Sequence, residues 1–234
     1  MQVCEIFRSV QGEGLYVGAP TLFVRFHGCQ LQCKWCDTPY AKDPKEATEM
    51  GVPLLLQKMR EVDPNPRYIC LTGGEPLIQP KHELFNLFQA LWVKRESGLK
   101  RVIVETSGAC PVDWFFNKPF RPFVDLVVDY KLRSSGMTDR MIWRNYLNLR
   151  PTDVLKFVCD GKDDFFHAME VLGNLVDEPG CNPTVFFHAV GGAPNPDLAA
   201  AMLKEAWEWV QKRWDVRFGV QLHRLLWPDK VRGV

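Results

Sequence analysis

The chain has 234 residues, 46% hydrophobic and 24% charged, with 29 Lys and Arg against 28 Asp and Glu. Folding at this length buries roughly 70–75% of the unfolded surface, so a sizeable core is available and disorder as the main state is excluded. A net charge of +1 gives no field that draws the chain to a polyanion.

No apolar run reaches the roughly 18 residues of a membrane helix, and Met1–Glu5 lack the basic and apolar regions of a signal peptide. A single domain spanning 1–234 is expected, cytoplasmic, with neither nucleic-acid nor membrane partner. Within it, 1–20 reads as an N-terminal strand segment that precedes the main repeat. Apolar runs of strand character then follow at Thr21–His27, Arg67–Thr72, Arg101–Thr106, Val124–Tyr130, Val154–Cys159, Thr184–Val190 and Val216–Leu222. The polar stretch Ala41–Val52, carrying Pro44, reads as a loop. Helical spacing places Leu84, Phe85, Leu87, Phe88, Leu91 and Trp92 on one stripe, and Phe165, Phe166, Met169, Leu172 and Leu175 on another. A third helix is predicted over Pro196–Trp214, with Asn195 as cap and Leu198, Met202, Leu203, Ala206, Trp209 and Val210 inward. Residues 215–234 form a closing segment. Strands alternating with helices imply right-handed βαβ units, so the fold class is α/β, a partial (open) β/α barrel of about six parallel strands.

Eight cysteines in a chain without a secretory signal are more naturally reduced thiols or ligands than disulfides. Five of them, at 4, 70, 110, 159 and 181, are isolated and read as small buried hydrophobes. Cys29, Cys33 and Cys36 instead cluster in a polar loop directly after the strand Thr21–His27, where parallel α/β folds place ligands. Three soft thiolates suit zinc or iron–sulfur, but a closed site needs four protein ligands, so one coordination place is left free. His27 makes a Cys3His zinc site conceivable.

Cys-x3-Cys-x2-Cys at a strand end, with Trp35 before the third cysteine, resembles the signature of the radical S-adenosylmethionine (SAM) superfamily. The resemblance implies a 4Fe-4S cluster on Cys29, Cys33 and Cys36, its fourth iron chelated by SAM. A second element agrees with it: Thr72-Gly73-Gly74-Glu75-Pro76 closes the next strand, with paired glycines for close backbone approach and a carboxylate suited to an ammonium group. In the superfamily this stretch receives the SAM amino group.

Further motifs run through the chain: Glu5-Ile-Phe-Arg-Ser-Val-Gln-Gly-Glu-Gly, Glu105-Thr-Ser-Gly, Asp129-Tyr-Lys-Leu and Gln221-Leu-His-Arg-Leu-Leu-Trp. Together they resemble the 7-carboxy-7-deazaguanine synthases, from about residue 5 to the C-terminus. That family converts 6-carboxy-5,6,7,8-tetrahydropterin to 7-carboxy-7-deazaguanine with loss of ammonia, using the cluster, SAM and Mg²⁺. Its chemistry starts from a one-electron reductant and a 5′-deoxyadenosyl radical that abstracts hydrogen before ring contraction. Chemically, Glu13 and Gln11 could read the amidine-like edge of a pterin, and the Arg25 guanidinium its carboxylate. The resemblance further implies substrate contacts at Val10, Gly12, Thr72, Glu105 and His223. It implies SAM contacts at Trp35, Cys36, Asp37, Gly74, Glu75, Asp129, Tyr130, Lys131, His188, Ala189, Val190 and Gly191, and a Mg²⁺ ligand at Thr38. Where many members carry Ser-Pro-Lys, this chain has Asp129-Tyr130-Lys131, so Lys131 transfers most directly. A C2 homodimer is the prior for a soluble enzyme.

Read without the family, Gln11-Gly12-Glu13-Gly14 suits a plain hairpin turn, Arg25 could pair a nearby acid, and Thr38 could cap a turn. An activase that installs a glycyl radical would share the cluster but gives no reason for Gln11, Glu13, Arg25 and Gln221-x-His223. A non-enzymatic Cys3His zinc domain or an electron-transfer protein is the alternative of another class.

Overall fold

The computed structural model describes residues 1–192, 195–206 and 213–234. The chain opens with β1 (Gln2–Val10) and β2 (Pro20–Phe26), an antiparallel hairpin, and the short β3 (Thr48–Glu49) adds to the free side of β1. From β2 onward every neighbouring pair is parallel: β4 (Tyr68–Gly73), β5 (Arg101–Thr106), β6 (Val124–Tyr130), β7 (Val154–Cys159), β8 (Thr184–Ala189) and β9 (Asp215–Gly219). The sheet order is β3-β1-β2-β4-β5-β6-β7-β8-β9. Among the described residues it is the open, mostly parallel sheet expected, with seven parallel strands where about six are expected and an antiparallel pair on one edge. β9 stops three residues short of the predicted end, because Leu222 starts the short helix α5 (Leu222–Leu226).

The crossover helices are α1 (Val52–Val62), α2 (Lys81–Lys94), α3 (Lys162–Leu175) and α4 (Pro196–Ala206). α1 has no counterpart among the predicted helices; it buries only Leu55 and Met59, too thin a stripe to stand out beside Ala41–Val52. On α2, Leu84, Leu87, Phe88 and Leu91 are buried, with Phe85 and Trp92 packed at their margin. Two predicted core positions are corrected. Phe166 is 50% exposed on α3 and Leu203 is 56% exposed on α4, each one position off the stripe its helix turns to the sheet. Asn195 does cap α4, accepting from the Leu198 N–H at 3.0 Å, and Leu198 is buried. Trp209 and Val210 lie outside the described residues, as do the side chains of Met202 and Ala206. Among the described residues, no helix is long and apolar enough to cross a membrane.

Strand periodicity divides the sheet into two chemistries. One parity (Leu22, Val24, Phe26, Ile69, Leu71, Val102, Val104, Leu126, Val128, Leu155, Phe157, Val185, Phe187) meets the helices in the main core. The other parity starts with a second apolar layer of Phe23, Cys70, Ile103, Val127, Val154 and Phe186. Two residues further along each strand that layer gives way to Arg25, Thr72, Glu105, Asp129, Lys156 and His188. The hairpin loop Gln11–Ala19 crosses this face. Tyr16 of the loop donates to Asp125 at 2.6 Å, and the Gly12 carbonyl accepts from the Leu222 N–H at 3.0 Å. First hairpin and C-terminal segment thus meet across the open side.

Candidate active site

A cavity of about 540 Å³ lies over the carboxyl ends of the strands. Period-two alternation delivers Arg25, Thr72, Glu105, Asp129, Lys156 and His188 to its wall, and loops supply the rest. Cys29, Cys33 and Cys36 all line it, as free half-buried thiols, while the other five cysteines do not. Burial pushes the Cys29 and Cys33 thiols above their ordinary value. The loop that carries them is pinned on its outer side: the Lys34 N–H donates to the Ser135 carbonyl at 3.1 Å and the Trp35 indole to Ser134 at 3.2 Å. On its inner side it meets β4. A Cβ on Gly74 would stand 2.1 Å from the Gly28 oxygen, and one on Gly73, at φ +140°, 2.3 Å from the Phe26 oxygen. The glycine pair is therefore required first by backbone packing, Gly73 against the end of β2 and Gly74 against the start of the cysteine loop.

Most predicted site residues come together here. Val10, Gln11, Gly12, Glu13, Arg25, Thr72, Glu105 and His223 line the cavity, as do Trp35, Asp37, Thr38, Gly74, Asp129, Lys131 and His188–Gly191. Glu75 and Tyr130 do not. The Glu75 carboxylate is fully buried behind the wall, accepting from the Leu77 N–H (3.0 Å), the Ser107 N–H (2.8 Å) and the Thr106 and Ser107 hydroxyls. Burial raises its pKa, against the pull of those hydrogen bonds. Tyr130 follows the opposite strand parity and packs with Tyr146, Phe157 and His167 on the helix side. Neither side chain stands on the cavity wall.

The polar wall is largely pre-paired. Arg25 gives its Nε to Glu5 at 2.7 Å and lies over the Phe7 and Tyr40 rings, and Tyr40 donates to the same Glu5 oxygen at 2.8 Å. So Arg25 does pair an acid, and its two terminal nitrogens have no hydrogen-bond partner among the described residues. Glu105 accepts from Thr72 at 2.8 Å and from the Gln11 amide at 3.2 Å, while the Gln11 oxygen accepts from the Gly12 N–H at 2.8 Å. Gln11 thus orients Glu105 and the hairpin loop. That loop is a hairpin turn and a cavity wall at once.

Glu13 is paired with Lys156 at 2.7 Å and accepts from Gln221 at 2.5 Å. Burial alone would raise its pKa, but Lys156, His188 and Gln221 outweigh it and hold the carboxyl well below the ordinary range. Asp129 pairs with Lys131 at 2.8 Å, and the Lys131 ammonium sits 5.4 Å over the Trp35 ring. Both His188 ring nitrogens are buried without a partner among the described residues, and burial lowers that histidine's pKa. Thr38 donates to Asp37 at 2.7 Å. Lys156 and Tyr40 stand in none of the sequence motifs, though a lone lysine in the strand parity of Asp129 and Arg25 is a readable signal.

Three free thiols on one cavity beside polar groups that could hold a zwitterion suit a three-cysteine cluster with SAM as the remaining ligand. A single zinc ion fits less well. His27 is outside the cavity wall, and among the described residues no three His, Cys, Asp or Glu side chains gather closely enough for one ion.

A family model for a 4Fe-4S single cluster domain matches residues 10–150. A 7-carboxy-7-deazaguanine synthase of Leptospira interrogans is 35% identical over 99% of this chain and 97% of its own length. That of Clostridium acetobutylicum is 34% identical over 100% and 99%. The chain belongs to the 7-carboxy-7-deazaguanine synthase family. The crystal structure of QueE from Escherichia coli, 20% identical, superposes with a TM-score of 0.65 over 94% of this chain and 93% of that one, which supports the fold. Membership rules against the activase and zinc-domain alternatives, and the cluster-domain match spans the stretch that carries the cysteine triplet.

Proposed function

We propose that the protein converts 6-carboxy-5,6,7,8-tetrahydropterin to 7-carboxy-7-deazaguanine with release of ammonia. The observation that carries this is one cavity whose wall holds both the cysteine triplet and the Glu13, Arg25 and Glu105 set. When bound, the 4Fe-4S cluster and SAM supply the hydrogen-atom abstraction that starts the rearrangement.

The chain's own residues bind and orient. The Glu13 and Glu105 carboxylates accept from the N–H groups of the pterin edge, and Arg25 receives the substrate carboxylate on its two terminal nitrogens. Thr72 and Gln11 fix Glu105, and Glu5 and Tyr40 fix Arg25, so the readers are in place before substrate arrives. His223 and the Val10–Gly12 backbone border the same end. On the cluster side, Trp35, Cys36, Asp37, Gly74, Asp129, Lys131 and the 188–191 segment would hold SAM. Glu75 and Tyr130 act from behind that wall. Thr38 would offer a hard hydroxyl oxygen to Mg²⁺, a cation that usually keeps several waters. Residues 1–20 and 215–234 work with the barrel as one unit. A one-electron reductant, a cytoplasmic setting and a homodimer belong to the same reading.

Anaerobically reconstituted protein, reduced and supplied with SAM, Mg²⁺ and carboxytetrahydropterin, should yield 7-carboxy-7-deazaguanine by mass spectrometry. SAM cleavage without that product would overturn the assignment.

A further inference from the structure

Lys156 enters the cavity from the middle of β7, between Leu155 and Phe157, which face the helices. Its ammonium lies 2.7 Å from one Glu13 oxygen and 3.7 Å from Asp129. The three side chains are 12–14% exposed, so water screens them little. Glu13 comes from the hairpin loop and Asp129 from β6, so this single cation joins the substrate end of the cavity to the cluster end. Asp129 shares the same oxygen with Lys131, and its other oxygen is buried without a partner among the described residues.

A lone carboxyl in such a place takes up a proton. A protonated Glu13 would present an O–H donor to a ligand edge made of N–H donors, which is the wrong polarity. The groups facing Glu13 are Lys156 on β7, the neutral-leaning His188 on β8, Asp37 in the cysteine loop, and Gln221 and His223 at the C-terminal segment. Of these, Lys156 is the cation at ion-pairing distance.

We propose that Lys156 is a positioning residue for substrate recognition: it holds Glu13 as an oriented acceptor for the pterin edge and ties it to Asp129 on the cofactor side. This rests on the reading of Glu13 as a substrate contact given above. Lys156 then acts through Glu13, and its loss weakens ground-state and transition-state binding alike, which raises KM more than it lowers kcat.

The test is a double-mutant cycle on the reconstituted holoenzyme, with KM and kcat for carboxytetrahydropterin measured at saturating SAM and iron content per chain as the folding control. K156M should raise KM by about 10- to 100-fold, the loss of one charge-assisted hydrogen bond, with a smaller change in kcat. K156R, which keeps the charge, should recover most of that loss. E13Q and E13Q/K156M should share one KM within about two-fold, because the lysine has nothing left to position. If K156M alone fails to fold, E13Q/K156M, which buries no unpaired charge, still makes the comparison with E13Q. Effects that multiply in the double variant, or a K156R no better than K156M, would overturn the role of Lys156 while leaving Glu13 as a contact. An E13Q enzyme with unchanged KM would instead remove the substrate reading of Glu13 and the proposal with it.

Discussion

Replacing Glu75 with alanine removes a carboxylate that clamps the end of β4 to the end of β5. Two buried backbone donors, the Leu77 and Ser107 N–H groups, lose their acceptor, and the Thr106 and Ser107 hydroxyls lose a shared one. Each orphaned donor costs about 1–3 kcal/mol, and relief of the carboxylate's own desolvation offsets part of the sum, so a net loss of about 2–5 kcal/mol is expected. With an m-value of about 3 kcal/mol/M, the urea midpoint should fall by roughly 0.7–1.7 M. Glu75→Gln keeps one acceptor but turns an NH₂ toward donors, and should lose about half as much. Because burial raises the folded-state pKa of Glu75, its stabilisation is fullest at low pH and declines as pH rises through that raised value. The gap between wild type and Glu75→Gln should therefore be wider at about pH 5 than at pH 7. Urea titrations followed by tryptophan fluorescence, paired with SAM-binding measurements, decide the matter. A midpoint shift below about 0.3 M together with a tenfold loss of SAM affinity would refute the bracing role and return Glu75 to the ligand.

The remaining predictions concern the same neighbourhood. Gly74→Ala forces a Cβ to 2.1 Å from the Gly28 oxygen and should cost about 3 kcal/mol or more and abolish cluster retention, whereas Gly173→Ala on α3, with open space around it, should stabilise by about 0.5–1 kcal/mol; thermal melts and iron content check both. Cys110 and Cys181, pushed up to about 12 by burial, should resist alkylation in the native protein together with buried Cys70 and Cys159. Mass spectrometry after iodoacetamide should then find at most the four half-buried thiols modified without iron, and Cys4 alone once the cluster is loaded. Any labelling of Cys159 or Cys181 before unfolding contradicts this. Glu13, whose pKa is depressed, gives stability that is present above the ordinary glutamate range and lost as pH falls through its lowered value. Lys156, whose pKa is raised, gives stability that is lost only as pH rises through its raised value. The stability difference between wild type and E13Q/K156M should accordingly be flat from about pH 6 to 9, and a drift beyond about 0.5 kcal/mol across that window argues against the pair.

Strands are legible because both parities carry information: Val124–Tyr130 and Val154–Cys159 combine valines with aromatic residues and end where predicted. The cysteine loop was legible because three thiols in a polar stretch have few structural uses. α1 was not, since its buried stripe is two residues and the preceding loop masks its start. The surroundings of Glu75 are illegible for a different reason. A carboxylate after paired glycines is equally suited to a ligand amine and to the orphan N–H groups of a strand end, and only three-dimensional neighbours such as Ser107, 32 residues away, separate the two.

What no linear pattern could reveal is the pairing among the site residues themselves. Arg25, Glu5 and Tyr40 satisfy one another, and Arg232 of the C-terminal segment stacks at 4.2 Å on that same Tyr40 while bonding both Glu46 oxygens at 2.9 and 3.0 Å. Sequence reading treats a hairpin turn, a strand ion pair and a ligand contact as rival roles for Gln11, Glu13 and Arg25. In the folded chain the roles coincide. A buried reader of charge keeps its ionisation and rotamer only if other protein groups hold it, so the residues that hold it are structural and functional by the same contacts. That is why Tyr40 and Lys156, which stand in none of the motifs, and Glu5, which opens one of them, belong with the residues whose spacing marks the site.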